Sequence, residues 1–385
     1  MIQSVYTHIP FCQQICHYCD FTKFFYNEKL ADEYVEALKN EINVNVSGKN
    51  NKVNTIFIGG GTPTALTIKQ LRTILETIKD KFDVENCAEY TIEANPGDFD
   101  TDKIKMLRSY GVNRISLGVQ VFDDKMLEEI GRLHKIKDVY TTVNHLQKYG
   151  FSNISIDLIY ALPNQTVDNF RHTLNEAIQF NLPHYSTYAL QIEPKTLFYN
   201  RFKKGKLHRP KQEDEVEMYD LLRRTMKQNG IEQYEISNFA KPGYESKHNL
   251  TYWNNDYYYG FGAGAHGYLP GKRTGNIRPL PAYVKQAMEN GKPILSTEKI
   301  GFKENIEEEL FLGLRKLAGI NKTVFKHKFG FELDSLYEQQ ISKLVQKGWL
   351  QNNADSVHLT DQGVLFGNEV FEQFLLDDED INHLR

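Results

Sequence analysis

No apolar run in this 385-residue chain approaches the roughly 18–20 residues that cross a bilayer, so a membrane-spanning protein is not expected. A basic excess is also missing. The 46 lysines and arginines are outweighed by 50 aspartates and glutamates, and a net charge of −4 argues against a general nucleic-acid binder. The opening Met1-Ile2-Gln3-Ser4-Val5-Tyr6 has neither a charged n-region nor a long apolar h-region, so no signal peptide is expected. Low-complexity tracts are absent, and 40% hydrophobic with 25% charged residues is ordinary globular composition. Tryptophan is scarce, at two residues, and cysteine nearly so, at four. Three of those cysteines, Cys12, Cys16 and Cys19, fall within eight residues, and Cys87 stands alone. In a reducing compartment clustered cysteines are metal ligands more often than disulfides. The expectation is a cytoplasmic, metal-binding protein whose contact with membranes is at most peripheral.

The spacing C-x3-C-x2-C supplies three thiolates. A full iron–sulfur cluster takes four, so three leave one iron open to a ligand that is not protein. Such an open iron is the mark of enzymes that coordinate S-adenosylmethionine (SAM). Zinc is the alternative, with His8 or His17 as fourth ligand, but only Cys16 and Cys19 have zinc-like spacing and no second pair exists. A thioredoxin-like C-x-x-C leaves the third cysteine idle. Covalent c-type heme attachment is excluded, because Asp20 and not histidine follows Cys19.

Along the first half, short β-branched runs alternate with amphipathic stretches. Strands are expected at 5–9, 55–59, 90–94, 114–119, 154–160 and 185–191. Leu30, Tyr34, Val35, Leu38 and Ile42 recur at helical spacing, as do Leu71, Ile74, Leu75 and Ile78. Asp102 is expected to N-cap the helix that carries Ile104 and Leu107, and Gly111 to end it. Six such units predict a parallel sheet with right-handed crossovers, curled into a partial barrel with its sites at the strand C-terminal ends. The cysteines, the run Gly59-Gly60-Gly61-Thr62-Pro63, Glu93 and Gln120 all fall there, and Asp157 lies within the fifth strand. The glycine run, read alone, is a turn; beside a three-cysteine loop it becomes backbone that a ligand can approach closely. Asp157 interrupts an otherwise mostly apolar strand, and a buried carboxylate needs partners such as ribose hydroxyls.

A Lys-, Gly- and Pro-rich linker at 203–210 leads into a helix at 213–228. A stretch dense in aromatics and glycine follows at 234–268. It carries His248-Asn249-Leu250-Thr251-Tyr252-Trp253 and, beyond it, Gly260-Phe261-Gly262-Ala263-Gly264-Ala265-His266. Flat aromatic surfaces with a histidine suit a planar ligand whose metal can be ligated, such as heme. The plainer reading is an aromatic patch that packs the barrel against the C-terminal module. From about residue 301, helical patterns at 306–317, 323–329 and 333–347, a short hairpin (349–350 with 357–359) and a last helix after Thr360 resemble a winged helix. The acidic run 377–380 gives DNA binding no support, so the module is read as structural or partner-docking.

Taken together, Tyr6-Thr7-His8-Ile9-Pro10-Phe11-Cys12, the cysteine spacing, Gly59-Gly60-Gly61-Thr62-Pro63-Thr64, Ile156-Asp157-Leu158-Ile159-Tyr160-Ala161-Leu162-Pro163 and the C-terminal module resemble the radical SAM family that contains oxygen-independent coproporphyrinogen III oxidase. The resemblance implies an α/β fold, a partial (β/α)6 radical SAM barrel with a C-terminal helical, winged-helix-like domain. It places a 4Fe–4S cluster on Cys12, Cys16 and Cys19, and SAM on Tyr6, Tyr18, Gly60, Gly61, Thr62, Glu93, Gln120, Arg132 and Asp157. The porphyrinogen-decarboxylating branch has an N-terminal extension and a further cysteine just after the triplet; here Tyr6 is near the N-terminus and Phe21 stands at that cysteine's position. The segment 248–253 instead resembles the H-N-x-x-Y-W heme-binding motif of the HemW-type heme chaperones. This implies heme on His248, Tyr252 and Trp253, with His266 and Tyr252 as rival iron ligands to His248. Such chaperones deliver heme to respiratory membrane enzymes. The expected organisation is a barrel over 1–235, a connecting region with the heme motif over 236–300, and a C-terminal domain over 301–385, with a homodimer as a candidate assembly. Two other functions compete: a true porphyrinogen oxidase or related radical methyltransferase, and a zinc-stapled, non-catalytic adaptor.

Overall fold

Twelve strands share one sheet in the computed structural model, which describes residues 2–377. Its centre is the expected parallel set: β1 (Ser4–Ile9), β2 (Thr55–Gly60), β3 (Glu89–Ala94), β4 (Arg114–Gln120), β5 (Asn153–Tyr160) and β6 (His184–Ala189). These pair in sequence order, each parallel to the next. Between them run α1 (Glu28–Asn45), α2 (Ile68–Lys81), α3 (Thr101–Ser109), α4 (Ile136–Lys148) and α5 (Val167–Gln179). Parallel neighbours need such crossovers because no tight turn can join them.

The strands alternate sharply. Val5, Ile9, Ile56, Ile58, Tyr90, Ile92, Ile115, Leu117, Ile154 and Ile156 join Leu38, Ile42, Leu71, Ile74, Leu75, Ile78 and Leu107 in one apolar core beneath the helices. The intervening positions, among them Thr55, Glu93, Arg114, Ser116, Ser155, Asp157, His184 and Ser186, are polar and hydrogen-bond with one another or with elements closing the barrel. Asp157 therefore belongs to a polar interior and is not an isolated break in an apolar strand. The helix over Thr101–Ser109 is capped by Asp100, whose side chain accepts from the Lys103 N–H, and not by the expected Asp102. Asp102 instead supplies first-turn negative charge.

Both edges of the parallel set are extended. On one side β7 (Glu232–Glu235) and β8 (Asn238–Ala240) add antiparallel to β6, following helix α6 (Gln212–Gln228). On the other, β9 (Tyr258–Phe261) pairs parallel with β1, and β10 (His266–Leu269), β11 (Lys272–Asn276) and β12 (Ile294–Lys299) continue antiparallel. The aromatic and glycine-rich stretch thus enters the main sheet. Part of it forms helix α7 (Lys247–Trp253), and α8 (Leu280–Asn290) packs on α1.

A second apolar core, built from Ile306, Leu310, Phe325, Leu333, Ile341, Leu344, Val357 and Val370 among others, forms the C-terminal unit. It contains α9 (Phe302–Gly313), β13 (Ile320–Asn321), α10 (Lys322–Phe329), α11 (Leu333–Gln346), β14 (Leu350–Asn352) and β15 (Ser356–Leu359). β15 lies between β13 and β14, as the wing of a winged helix requires. The single helix expected after Thr360 is two short ones, Asp361–Leu365 and Gly367–Phe371. Of the acidic run 377–380, positions 378–380 lie outside the described residues.

Candidate cofactor and ligand site

The cysteine loop leaves β1 and packs over the ends of β2, β3 and β4. Cys12 is buried in a short strand, Phe11–Cys12, that pairs with Phe24–Phe25, so the loop leaves and returns at one place. Burial pushes the Cys12 thiol up to about 11, partly offset by the Thr62 hydroxyl, which donates to its Sγ at 3.7 Å. Burial also raises Cys19. Thiols so placed ionise when a cation takes the place of the proton. Among the described residues no three His, Cys, Asp or Glu side chains gather round one ion position. The three-thiol donor set suits a polynuclear cluster, whose irons take one thiolate each.

Glycine is required beside it. At Gly61 a Cβ would lie 2.8 Å from the Phe11 carbonyl and 3.0 Å from Cys12 Sγ. At Gly60, whose φ is +114°, it would lie 2.4 Å from the His8 ring. That ring is locked. Its Nε2–H donates to the Thr22 carbonyl at 2.8 Å, and Nδ1 accepts from the Tyr6 hydroxyl at 2.8 Å. Burial holds His8 down at about 4, so it stays neutral.

The strand-end residues converge. Glu93 Oε2 accepts the Gly60 N–H at 2.8 Å; burial, with Asp157 adding to it, raises this carboxyl to about 8. Asp157 accepts from Ser116 Oγ at 3.0 Å and is raised by burial to about 6. Arg132 donates from Nη1 to Cys16 Sγ at 3.2 Å, and from Nη2 to Asn95 Oδ1 and to the Gly118 carbonyl. Gln120 is buried with φ +73°, and a Cβ on Gly118 would meet its amide at 2.8 Å. Burial raises Tyr18 strongly, and its hydroxyl lies against Cys16. Tyr6 stacks on Phe57, with ring centroids 6.1 Å apart. The residues expected to contact SAM are thus gathered at one end of the sheet, round the cysteine loop. Sequence reasoning does not find Asn95, although it follows Glu93 by two residues; its Nδ2–H donates to Thr62 Oγ1 at 3.0 Å, tying β3 to the glycine run.

His248 lies at the opposite end. Helix α7 closes the barrel over the N-terminal ends of β2 and β3, and the Glu89 carboxylate caps it by accepting the N–H groups of Lys247 at 2.8 Å and His248 at 3.0 Å. The His248 ring is 1% exposed and stacks on Phe57 at 5.0 Å. Thr55 donates to Ser4 Oγ at 2.8 Å, so the 2.7 Å contact between Thr55 Oγ1 and His248 Nδ1 has the histidine as donor. Its Nε2 then accepts from the Tyr252 hydroxyl at 2.8 Å. Both ring nitrogens are engaged, and burial lowers the group to about 3.

Tyr252 and Trp253 open onto a different space. With Tyr258, Tyr268, Arg273 and Phe311 they line a largely apolar cavity of about 420 Å³ where the barrel meets α9. Arg273 there is held by Glu308 in a two-point ion pair at 2.8 and 2.7 Å. A second cavity, of about 300 Å³, lies between the cysteine loop and the turn before β10; Tyr6, Phe21, Tyr252, Tyr258, His266 and Arg278 line it. Desolvation, then the cations Arg278 and Arg273, lower His266.

Comparisons with known proteins give the family. Residues 6–177 match the model of the Radical SAM superfamily, and 303–366 that of the HemN C-terminal domain. The chain is 49% identical over 377 residues to the heme chaperone HemW of Bacillus subtilis (strain 168), covering 97% of this chain and 99% of that one. It is 45% identical over 375 residues to the heme chaperone HemW of Lactococcus lactis subsp. lactis (strain IL1403), covering 97% and 98%. The solved coproporphyrinogen III oxidase (HemN) of Escherichia coli, a radical SAM enzyme, superposes with a TM-score of 0.84 at 22% identity, over 97% of this chain and 90% of that one. At that identity the superposition speaks to the fold alone. The chain belongs to the radical SAM superfamily, as a HemW-type member.

Proposed function

We propose that this protein is a heme chaperone that keeps a SAM-coordinated 4Fe–4S cluster and passes heme to respiratory membrane enzymes. One observation carries the reading: near-full-length similarity to proteins named heme chaperone HemW, joined to a strand-end site whose residues fit the cluster and SAM. Cys12, Cys16 and Cys19 would hold the cluster. Glu93, Asp157, Gln120 and the backbone of Gly60 and Gly61 would hold SAM. When bound, the cluster supplies the electron that cleaves SAM reductively. The chain's own part is to exclude water and to hold the three thiols, with Arg132 and Thr62 donating to two of them.

No helix among the described residues is long and apolar enough to cross a membrane. The proposed setting is the cytoplasm, with peripheral contact to the membrane acceptors. The competing reading is a true porphyrinogen oxidase on the same fold. Against it, Phe21 occupies the position of the oxidase branch's extra cysteine and is 65% exposed. Anaerobic incubation of the reconstituted protein with coproporphyrinogen III, reductant and SAM separates the two. A chaperone gives no decarboxylated product and shows a Soret band when heme is added; product formation would overturn the proposal.

A further inference from the structure

Resting on the reading that this chain carries heme, we infer that the heme iron is ligated by His266, in the cavity beside the cysteine loop, and not by His248. The two histidines differ in what they have free. His248 is buried beneath the barrel, its Nδ1–H is given to Thr55 and its Nε2 lone pair is filled by the Tyr252 hydroxyl. Binding iron there breaks the hydrogen bond between His248 Nε2 and the Tyr252 hydroxyl, which costs its free energy. His248 also lines neither cavity. The His266 ring has no hydrogen-bond partner among the described residues and is open to solvent. It lies over Gly275, where a Cβ would come within 3.2 Å of the ring.

The surroundings of His266 match heme in further ways. Phe21, 65% exposed, gives a flat apolar face at the same cavity on which a macrocycle can stack. Arg278 lines the cavity and makes no ion pair among the described residues, so its guanidinium can meet a propionate; the Asp20 carboxylate also lines the cavity and directs the propionates toward Arg278. The alternative cavity at α9 offers no imidazole, and its Arg273 is already paired with Glu308. At about 300 Å³ the cavity at His266 encloses only part of a macrocycle. A carrier that must hand heme on gains from leaving the remainder accessible.

Hemin titrated into the full chain, with the Soret band followed and electron paramagnetic resonance reporting the axial ligand, tests the assignment. Wild-type protein is expected to show histidine ligation. His266→Ala loses that signature and weakens binding by about tenfold or more. His248→Gln, which keeps a hydrogen-bonding terminus, retains the signature. Arg278→Ala weakens binding and leaves the ligand spectrum unchanged. A wild-type spectrum and affinity in His266→Ala overturn the assignment, as does loss of the signature in a folded His248→Gln. If Trp253→Leu abolishes binding while His266→Ala does not, heme belongs in the α9 cavity and the chaperone reading stands without this site. Absence of any Soret band in wild type removes both.

Discussion

Arg132 joins more of the site than any other single side chain, reaching Cys16 Sγ, Asn95 Oδ1 and the Gly118 carbonyl from one guanidinium. A lysine keeps the charge but not the planar fork that spans several acceptors. Arg132→Lys should therefore reduce the iron and sulfide retained per chain after reconstitution while leaving the fold intact by circular dichroism; unchanged retention would deny it this part. Gly61→Ala is a sharper steric test. The added methyl meets the Phe11 carbonyl and Cys12 Sγ at 2.8 and 3.0 Å, so loss of about 1–3 kcal/mol of stability and poor cluster loading are expected. Denaturant titration with and without the cluster measures both, and a neutral outcome would show that the loop yields more easily than its packing indicates. At this scale the sequence was most informative. Cysteine spacing, consecutive glycines and a carboxylate at a strand end are short-range signals. Asn95 carried no such signal, because its partner Arg132 becomes a neighbour only in the folded chain, and His8, weighed as a zinc ligand, is instead locked between Tyr6 and Thr22.

Helix α7 illustrates what sequence proximity cannot supply. The motif 248–253 reads as one ligand-binding unit, yet the helix sends His248 into the barrel floor and Tyr252 and Trp253 to the α9 cavity. His248→Ala removes two buried hydrogen bonds and a ring stacked on Phe57, and should lower stability by about 2–4 kcal/mol in urea titration. The elements themselves were legible from period-two and helical patterns. The extra strands β9–β12 were not, because Tyr258–Phe261 and the glycine-rich turn after it lack alternation. They are held instead by distant contacts from α1. There Glu41 accepts from the Gly262 N–H at 2.9 Å, from Asn276 Nδ2 at 2.6 Å and from the Tyr283 hydroxyl. Burial raises Glu41 to about 7. In the unfolded chain it ionises near 4.5, so between these values the folded state holds the extra proton. The contribution is full below about 4.5 and is lost as pH rises through about 7, by on the order of 3 kcal/mol. Glu41→Gln should flatten that decline relative to wild type between about pH 4.5 and pH 7. Parallel pH profiles in the two proteins would contradict it.

Across the whole molecule, the barrel and the C-terminal unit have separate cores joined by specific polar contacts. The N–H of Leu317 donates to the Tyr234 carbonyl at 3.0 Å, that of Ile236 to the Arg315 carbonyl at 3.2 Å, and the Arg315 guanidinium lies 4.5 Å above the Trp253 ring. The C-terminal unit was legible as a winged-helix-like module, and the plainer reading of the aromatic segment, packing of barrel against that module, matches the cavity; the individual partners Phe311 and Leu312 were not legible, since nothing local links them to Trp253. The three cysteines suit the proposed cluster, and the whole molecule adds an exposed Phe21, a His266 ring without a hydrogen-bond partner among the described residues and an aromatic junction. Titration of hemin into the anaerobically reconstituted, full-length protein, followed by the Soret band, is the most direct test of the chaperone reading. A heme chaperone should give a saturable Soret shift at about one heme per chain with histidine ligation; a featureless, non-saturating spectrum identical to that of free hemin would contradict it.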